Sequence, residues 1–167
     1  MGRWRPPPET SSPYITAHGA EALRRELSEL WQLRRRDVVP ALTAAAAEGD
    51  RSENAEYIYR KKQLREIDRK IHYLSKRLDC AKIISQAPAR RDRVFFGAAV
   101  QLADAQGAVL NYRIVGADET GAAAHYISID SPLARALLGR SAGDQVQVRL
   151  PDGMAEYALI AIDYPAP

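Results

Sequence analysis

Apolar residues recur at helical spacing along the first half of the chain. Leu23, Leu27 and Leu30 stand four and three residues apart, and Trp31 and Leu33 widen that stripe. The pattern predicts a helix over residues 16–48, with Thr16 as its N-cap and Gly49 as its stop. Pro40 falls inside it. A proline has no amide hydrogen to donate and its ring crowds the preceding turn, so the helix should bend or break there. A second stripe runs through Leu64, Ile67, Ile71, Leu74, Leu78 and Ala81 in steps of three and four. That is the seam of a coiled coil, and it predicts a second helix over residues 52–85. Two long helices joined by so short a turn must run antiparallel. At 1.5 Å rise per residue they form a spike roughly 50 Å long, with residues 49–52 at its tip.

After a linker over residues 86–92 the period falls to two. Strands are expected over residues 94–102, 109–115, 126–129, 145–150 and 157–162, with turn signals at 104–107 and 151–153. One short helix interrupts them, with Ser131 as cap, Pro132 in its first turn and Gly139 past its end. The fold class is α+β: an N-terminal antiparallel α-helical coiled-coil hairpin, then a small antiparallel β domain with one short helix. Residues 1–13, with four prolines among small polar residues, read as a flexible tail. Residues 14–86 read as the spike and 87–167 as the globular domain.

Composition narrows the class. With 46% apolar residues in 167, a core can form and wholesale disorder is excluded. The lone cysteine, Cys80, excludes an internal disulfide and a Cys-rich zinc site. No apolar run approaches the ~20 residues that span a bilayer, and the first residues lack the apolar core of a secretory signal. A cytoplasmic protein with no membrane partner is expected. Charge is uneven. Residues 1–90 carry 18 basic and 12 acidic side chains, and residues 91–167 carry 6 and 9. A basic front half and an acidic back half suggest modules with different partners.

Three constellations carry candidate chemistry. At the tip, Asp50 and Glu53 stand three residues apart. Capping explains such a pair: Asp50 would accept amide hydrogens of the second helix while Glu53 returns the bond. The alternative is that both oxygens face outward toward a divalent cation. Mg²⁺ demands six oxygens, so two carboxylates would have to complete another molecule's site. The second constellation is the basic helix. Between Arg60 and Arg77 lie eight Lys/Arg and only Glu66 and Asp68 as acids. Lys61, Arg65 and Arg69 share a face, and Lys62 flanks it. The face is either a solvated flank or a stripe that tracks phosphates. Tyr57, Tyr59 and Tyr73 are expected at the seam. The third is Asp130-Ser131-Pro132, which a strand, a cap and a helix start explain fully, although an exposed loop there could also dock a partner. His18, His72 and His125 share no spacing, and no HExxH, GxSxG, phosphate loop or GxGxxG occurs.

The words GDRSENAEY, RKKQLREIDRKIHYLSKRL, RVFFGAAV, YRIVGADE and YISIDSPLARALLGRSAGD, in this order, resemble the Gre family of bacterial transcript cleavage factors. The tip and basic-helix words sit nearer its GreB branch than its GreA branch. The resemblance implies a coiled coil followed by an FKBP-like domain, and bacterial RNA polymerase as partner. It implies that the spike enters the polymerase's secondary channel and promotes cleavage of backtracked RNA by the polymerase itself, so the chain would not be an enzyme alone. By residue matching, Asp50 and Glu53 would help hold a catalytic Mg²⁺ shared with the polymerase, supported by Ser52 and Asn54. Lys61, Lys62, Arg65 and Arg69 would grip the nascent RNA 3′ end, and Asp130, Ser131 and Pro132 would contact the polymerase rim. The factor is expected to act as a monomer. The resemblance equally allows a channel-binding inhibitor that promotes no cleavage, which the retained Asp50 and Glu53 disfavour. A free-standing nucleic-acid-binding coiled coil is the reading from another class. This chain departs from the family pattern by carrying Arg36 where a proline is usual, with Pro40 later, so the bend in the first helix should be displaced.

Overall fold

The computed structural model describes residues 11–165. The chain divides into two units, one formed by Ala20–Ala81 and the other by the segments on either side of it.

In the helical unit, α1 (Ala17–Leu33) leads through a π-helical turn (Arg34–Val38) into α2 (Val39–Ala47), and α3 (Ala55–Cys80) returns. Thr16 is the N-cap that the sequence predicts, its Oγ1 accepting from the Gly19 amide at 3.0 Å. The irregularity falls just before Pro40. The Val39 amide donates to the carbonyl of Arg34, five residues back. This widened turn relieves the crowding between the proline ring and the carbonyl four residues earlier. Beyond it Val38 stands in the seam, fully buried against Ile67 and Ile71, with Leu27, Leu30 and Leu64 around them.

Several expectations for this unit need correction. Trp31 and Leu33 do not join the seam; they stand 40% and 38% exposed. Tyr59 and Tyr73 are likewise exposed rather than packed. The second helix starts at Ala55, not at residue 52, and stops at Cys80, five residues early. Past Ala81 the chain enters β2 (Lys82–Ile84), which pairs in parallel with β1 (Tyr14–Thr16). Both are three-residue strands, too short for a period to register. Each takes the extended form that β-branched Ile15, Thr16, Ile83 and Ile84 favour once a partner is at hand.

The other unit is built on a five-stranded sheet in the order β5-β4-β3-β7-β6. Its strands are β3 (Ala99–Asp104), β4 (Val109–Val115), β5 (Tyr126–Ser128), β6 (Gln145–Leu150) and β7 (Gly153–Asp163), with α4 (Pro132–Leu137) between β5 and β6. β4 and β6 match the expected spans. Residues 94–98 are not strand, and β7 is longer at its start than the pattern indicates. The sheet is mixed, not wholly antiparallel, because β5 runs parallel to β4. A parallel partner needs a crossover connection rather than a tight hairpin, and residues 116–125 supply one. Inward residues alternate as strand geometry requires. Val100, Leu102, Ile114, Val146, Val148 and Leu159 bury one face together with Ala134 and Leu137 of α4. Ser131 caps α4 by accepting from the Ala134 amide at 3.2 Å.

A buried carboxylate holds the start of α1 to this unit. Glu119 is 6% exposed and accepts from the Thr16 amide at 3.0 Å, the Gly116 amide at 2.8 Å and the Thr16 hydroxyl. Gly19 and Gly116 let it approach. A Cβ on Gly19 would lie 2.2 Å from Glu119 Oε1. The tail expected over residues 1–13 falls mainly outside the described residues. Its last members are tied down, the Ser12 amide donating to Asp130 Oδ2 at 2.9 Å and Pro13 accepting from the Lys82 amide at 2.8 Å.

Candidate functional site

The turn between α2 and α3 is set by three residues. Gly49, at φ +125°, lets the chain leave α2, a conformation that L side chains rarely adopt. Asp50 then folds the backbone on itself, its Oδ1 accepting from both the amide and the hydroxyl of Ser52 at 2.8 Å. Asn54 starts α3, its side-chain oxygen accepting from the Tyr57 amide at 3.0 Å. Its Nδ2 donates to the Ala45 carbonyl at 2.9 Å, tying the end of α2 to the start of α3.

The capping reading of the acidic pair is therefore corrected. Asn54 is the cap, and neither Asp50 nor Glu53 serves the helix. Both carboxylates are exposed, and Glu53 has no hydrogen bond or ion pair among the described residues. The Ser52 amide, and then its hydroxyl, hold the Asp50 carboxyl below the usual carboxylate range. Asp50 thus stays negative throughout the neutral range. Carboxylate oxygens are the hard donors that Mg²⁺ prefers. Among the described residues no three His, Cys, Asp or Glu side chains converge to hold a metal. The donor set suits Mg²⁺ in kind and falls short in number.

Behind the tip, Lys61, Lys62, Arg65 and Arg69 are all exposed on α3. Among the described residues none of the four enters an ion pair. Three acids of this unit pair elsewhere: Glu56 on Arg60 at 2.7 Å, Asp68 on Arg34 at 2.7 Å and Glu26 on Lys70. The four cations are thus open to phosphates, as a phosphate-binding stripe requires. Sequence reasoning missed one tip feature. Arg51 lies 5.8 Å and Lys61 5.5 Å from the centre of the Tyr57 ring, a pair of cation–π contacts that hold Arg51 beside the acidic turn. The i, i+4 spacing of Tyr57 and Lys61 was the available signal.

Asp130, Ser131 and Pro132 lie in the other unit. Ser131 acts as a helix cap, Asp130 accepts from Ser12, and Pro132 is exposed. The three form one continuous corner leading into α4.

Comparison with known proteins covers both units. A family model described as the N-terminal domain of transcription elongation factors matches residues 13–83. A second, described as transcription elongation factor GreA/GreB, C-terminal, matches residues 88–164. The chain is 56% identical over 165 residues to transcription elongation factor GreB of Xanthomonas axonopodis pv. citri, covering 98% of each. It is 52% identical over 165 residues to GreB of Pseudomonas aeruginosa, covering 99% of this chain and 98% of the relative. With GreB of Yersinia pestis it shares 50% over 153 residues, covering 92% and 90%. With both of its units matched in order, the chain belongs to the GreA/GreB family of transcription elongation factors.

Proposed function

We propose that this protein is a GreB-type elongation factor that binds bacterial RNA polymerase through the secondary channel and stimulates the polymerase's own cleavage of backtracked nascent RNA. The observation that carries this reading is the tip. Two exposed carboxylates stand at the turn of a long helical hairpin, freed from capping by Asn54, with an unpaired cationic stripe on the helix behind them. Asp50 and Glu53 would help hold a Mg²⁺ shared with the polymerase, which would supply neutralisation of the charge that develops at the phosphodiester. This chain's share is to present Asp50 and Glu53, with Ser52 fixing the Asp50 carboxylate and Asn54 fixing the turn. Lys61, Lys62, Arg65 and Arg69 bind phosphates of the extruded RNA 3′ segment. Asp130, Ser131 and Pro132 form the contact to the rim of the channel. Cleavage leaves a new 3′-OH from which elongation resumes. The reaction belongs to the polymerase, and this chain acts as its accessory.

No described helix is long and apolar enough to cross a membrane, and the relatives are transcription factors of bacteria. The kinship to transcription elongation factors supports a cytoplasmic location, and the proposed action is that of a monomer. The test is a backtracked elongation complex supplied with this factor. Wild type should yield short 3′ RNA fragments and restore elongation, and the Asp50→Asn, Glu53→Gln double variant should bind polymerase yet yield almost none. Cleavage at full strength by that variant rejects the carboxylate role. Slowed nucleotide addition with no fragments from the wild type would instead identify an inhibitor, a reading that kinship to GreB factors disfavours.

A further inference from the structure

Arg51 stands in the tip turn one residue after Asp50 and two before Glu53. It is exposed, and a guanidinium on a flexible stem, flanked in sequence by two carboxylates, would ordinarily pair with one of them. It pairs with neither. Asp50 gives Oδ1 to Ser52, and Arg51 enters no ion pair among the described residues. Glu56, the next acid along, is taken by Arg60 at 2.7 Å. The Arg51 guanidinium lies instead over the Tyr57 ring, 5.8 Å from its centre.

The start of α3 places that ring. The Tyr57 amide donates to the Asn54 side chain at 3.0 Å, which fixes the first helical turn and with it the point from which the ring projects. The ring is half-buried, and Lys61, one turn further on, lies 5.5 Å from its centre. Magnitudes decide what the ring achieves. A cation over an exposed aromatic face and an exposed ion pair each favour their own geometry by about two- to fivefold. The ring therefore competes with the carboxylates on even terms. Without it, the carboxylates are the attraction left to Arg51 in the turn. A guanidinium fork on a carboxylate occupies the oxygens that a divalent cation would take.

We propose that Tyr57 is a positioning residue that holds Arg51 away from Asp50 and Glu53 and so keeps both carboxylates open to metal, a role that rests on the metal-sharing function given to that pair above. The ring face performs it, and the hydroxyl takes no part.

Two measurements test this, one on the free factor and one on backtracked elongation complexes. By NMR of the free factor, the δ-methylene protons of Arg51 should be shifted upfield by the ring current in wild type and in Tyr57→Phe, and should lose that shift in Tyr57→Leu. In backtracked complexes at saturating factor, Tyr57→Leu should raise the Mg²⁺ concentration for half-maximal RNA cleavage about two- to fivefold. Tyr57→Phe should match wild type. Adding Arg51→Ala to Tyr57→Leu should bring the Mg²⁺ dependence back, which assigns the effect to Arg51 and not to Lys61, the other cation on the ring. Three results would overturn the proposal: Arg51 protons without a ring-current shift in wild type, a Tyr57→Leu factor with unchanged Mg²⁺ dependence, or a defect that Arg51→Ala does not relieve. A wild-type factor that yields no RNA fragments would instead reject the cleavage role itself, while the NMR shift still reports whether the ring holds Arg51.

Discussion

At the scale of single residues, Asp50 shows how a local hydrogen bond shapes a candidate site. Its carboxyl is held below the usual range by the Ser52 amide and hydroxyl. A carboxyl lowered on folding contributes its stabilisation above its unfolded pKa and loses it as pH falls through the lower folded value. The tip turn should therefore keep its form through the mildly acidic range and loosen only below it. A carboxyl-carbon NMR titration of Asp50 should show an inflection below that of a free aspartate, and Ser52→Ala should move it upward. An unmoved inflection would mean that the hydroxyl contributes nothing. Glu119 is the corresponding case inside the protein. Replacing it by Ala leaves the Thr16 and Gly116 amides buried without acceptors, each costing about 1–3 kcal/mol. Denaturant unfolding of Glu119→Ala should show a loss of about 2–6 kcal/mol, and Glu119→Gln, which can still accept, a smaller one.

Elements are decided by phase. The heptad-like pattern of α3 was legible because its apolar steps are local and regular. The first arm was harder to read. Leu23, Leu27 and Leu30 mark the seam, but no apolar residue stands between Leu33 and Val38 to carry the pattern through the π-turn, and Val38 is buried in the same seam beyond it. Trp31 joined the predicted stripe only because it is large and apolar, and in the structure it is exposed. The contrast can be measured by thermal or denaturant unfolding. Ile71→Ala, a truncation at the seam, should cost about 2–5 kcal/mol. Trp31→Ala should cost less than about 1 kcal/mol. Comparable losses would place the indole in the core after all. Asn54→Ala belongs at this scale too, because it removes the cap of α3 and the tie to Ala45 together. It should cost about 1 kcal/mol or more and raise hydrogen exchange at Tyr57.

For the molecule as a whole, the proposed function joins an acidic turn and the cationic helix that follows it to a corner of the β unit much later in the sequence. Charge reversal at Lys62 and Arg65 should depress RNA cleavage in backtracked complexes. The gap from wild type should narrow as salt rises, because counterions weaken the phosphate contacts that the wild type alone retains. A gap independent of salt argues against an electrostatic grip.

The amino-acid order by itself determined the features whose causes lie within a few residues of one another. These are the Thr16 and Ser131 caps, the seam of α3, the exit at Gly49, most strand spans and the run of basic residues. Tertiary structure decided what depends on distant partners. β1 and β2 exist because residues 14–16 and 82–84 meet, and neither three-residue segment holds an extended form alone. β5 is parallel because of how its crossover returns to β4. Asp50 is left out of the cap because Asn54 reaches both Tyr57 and Ala45 and takes that role. Periodicity records which face of an element is apolar. It does not record which neighbour will cover that face, or which of several polar side chains will win a given backbone amide, because those outcomes are settled by contacts between residues remote along the chain.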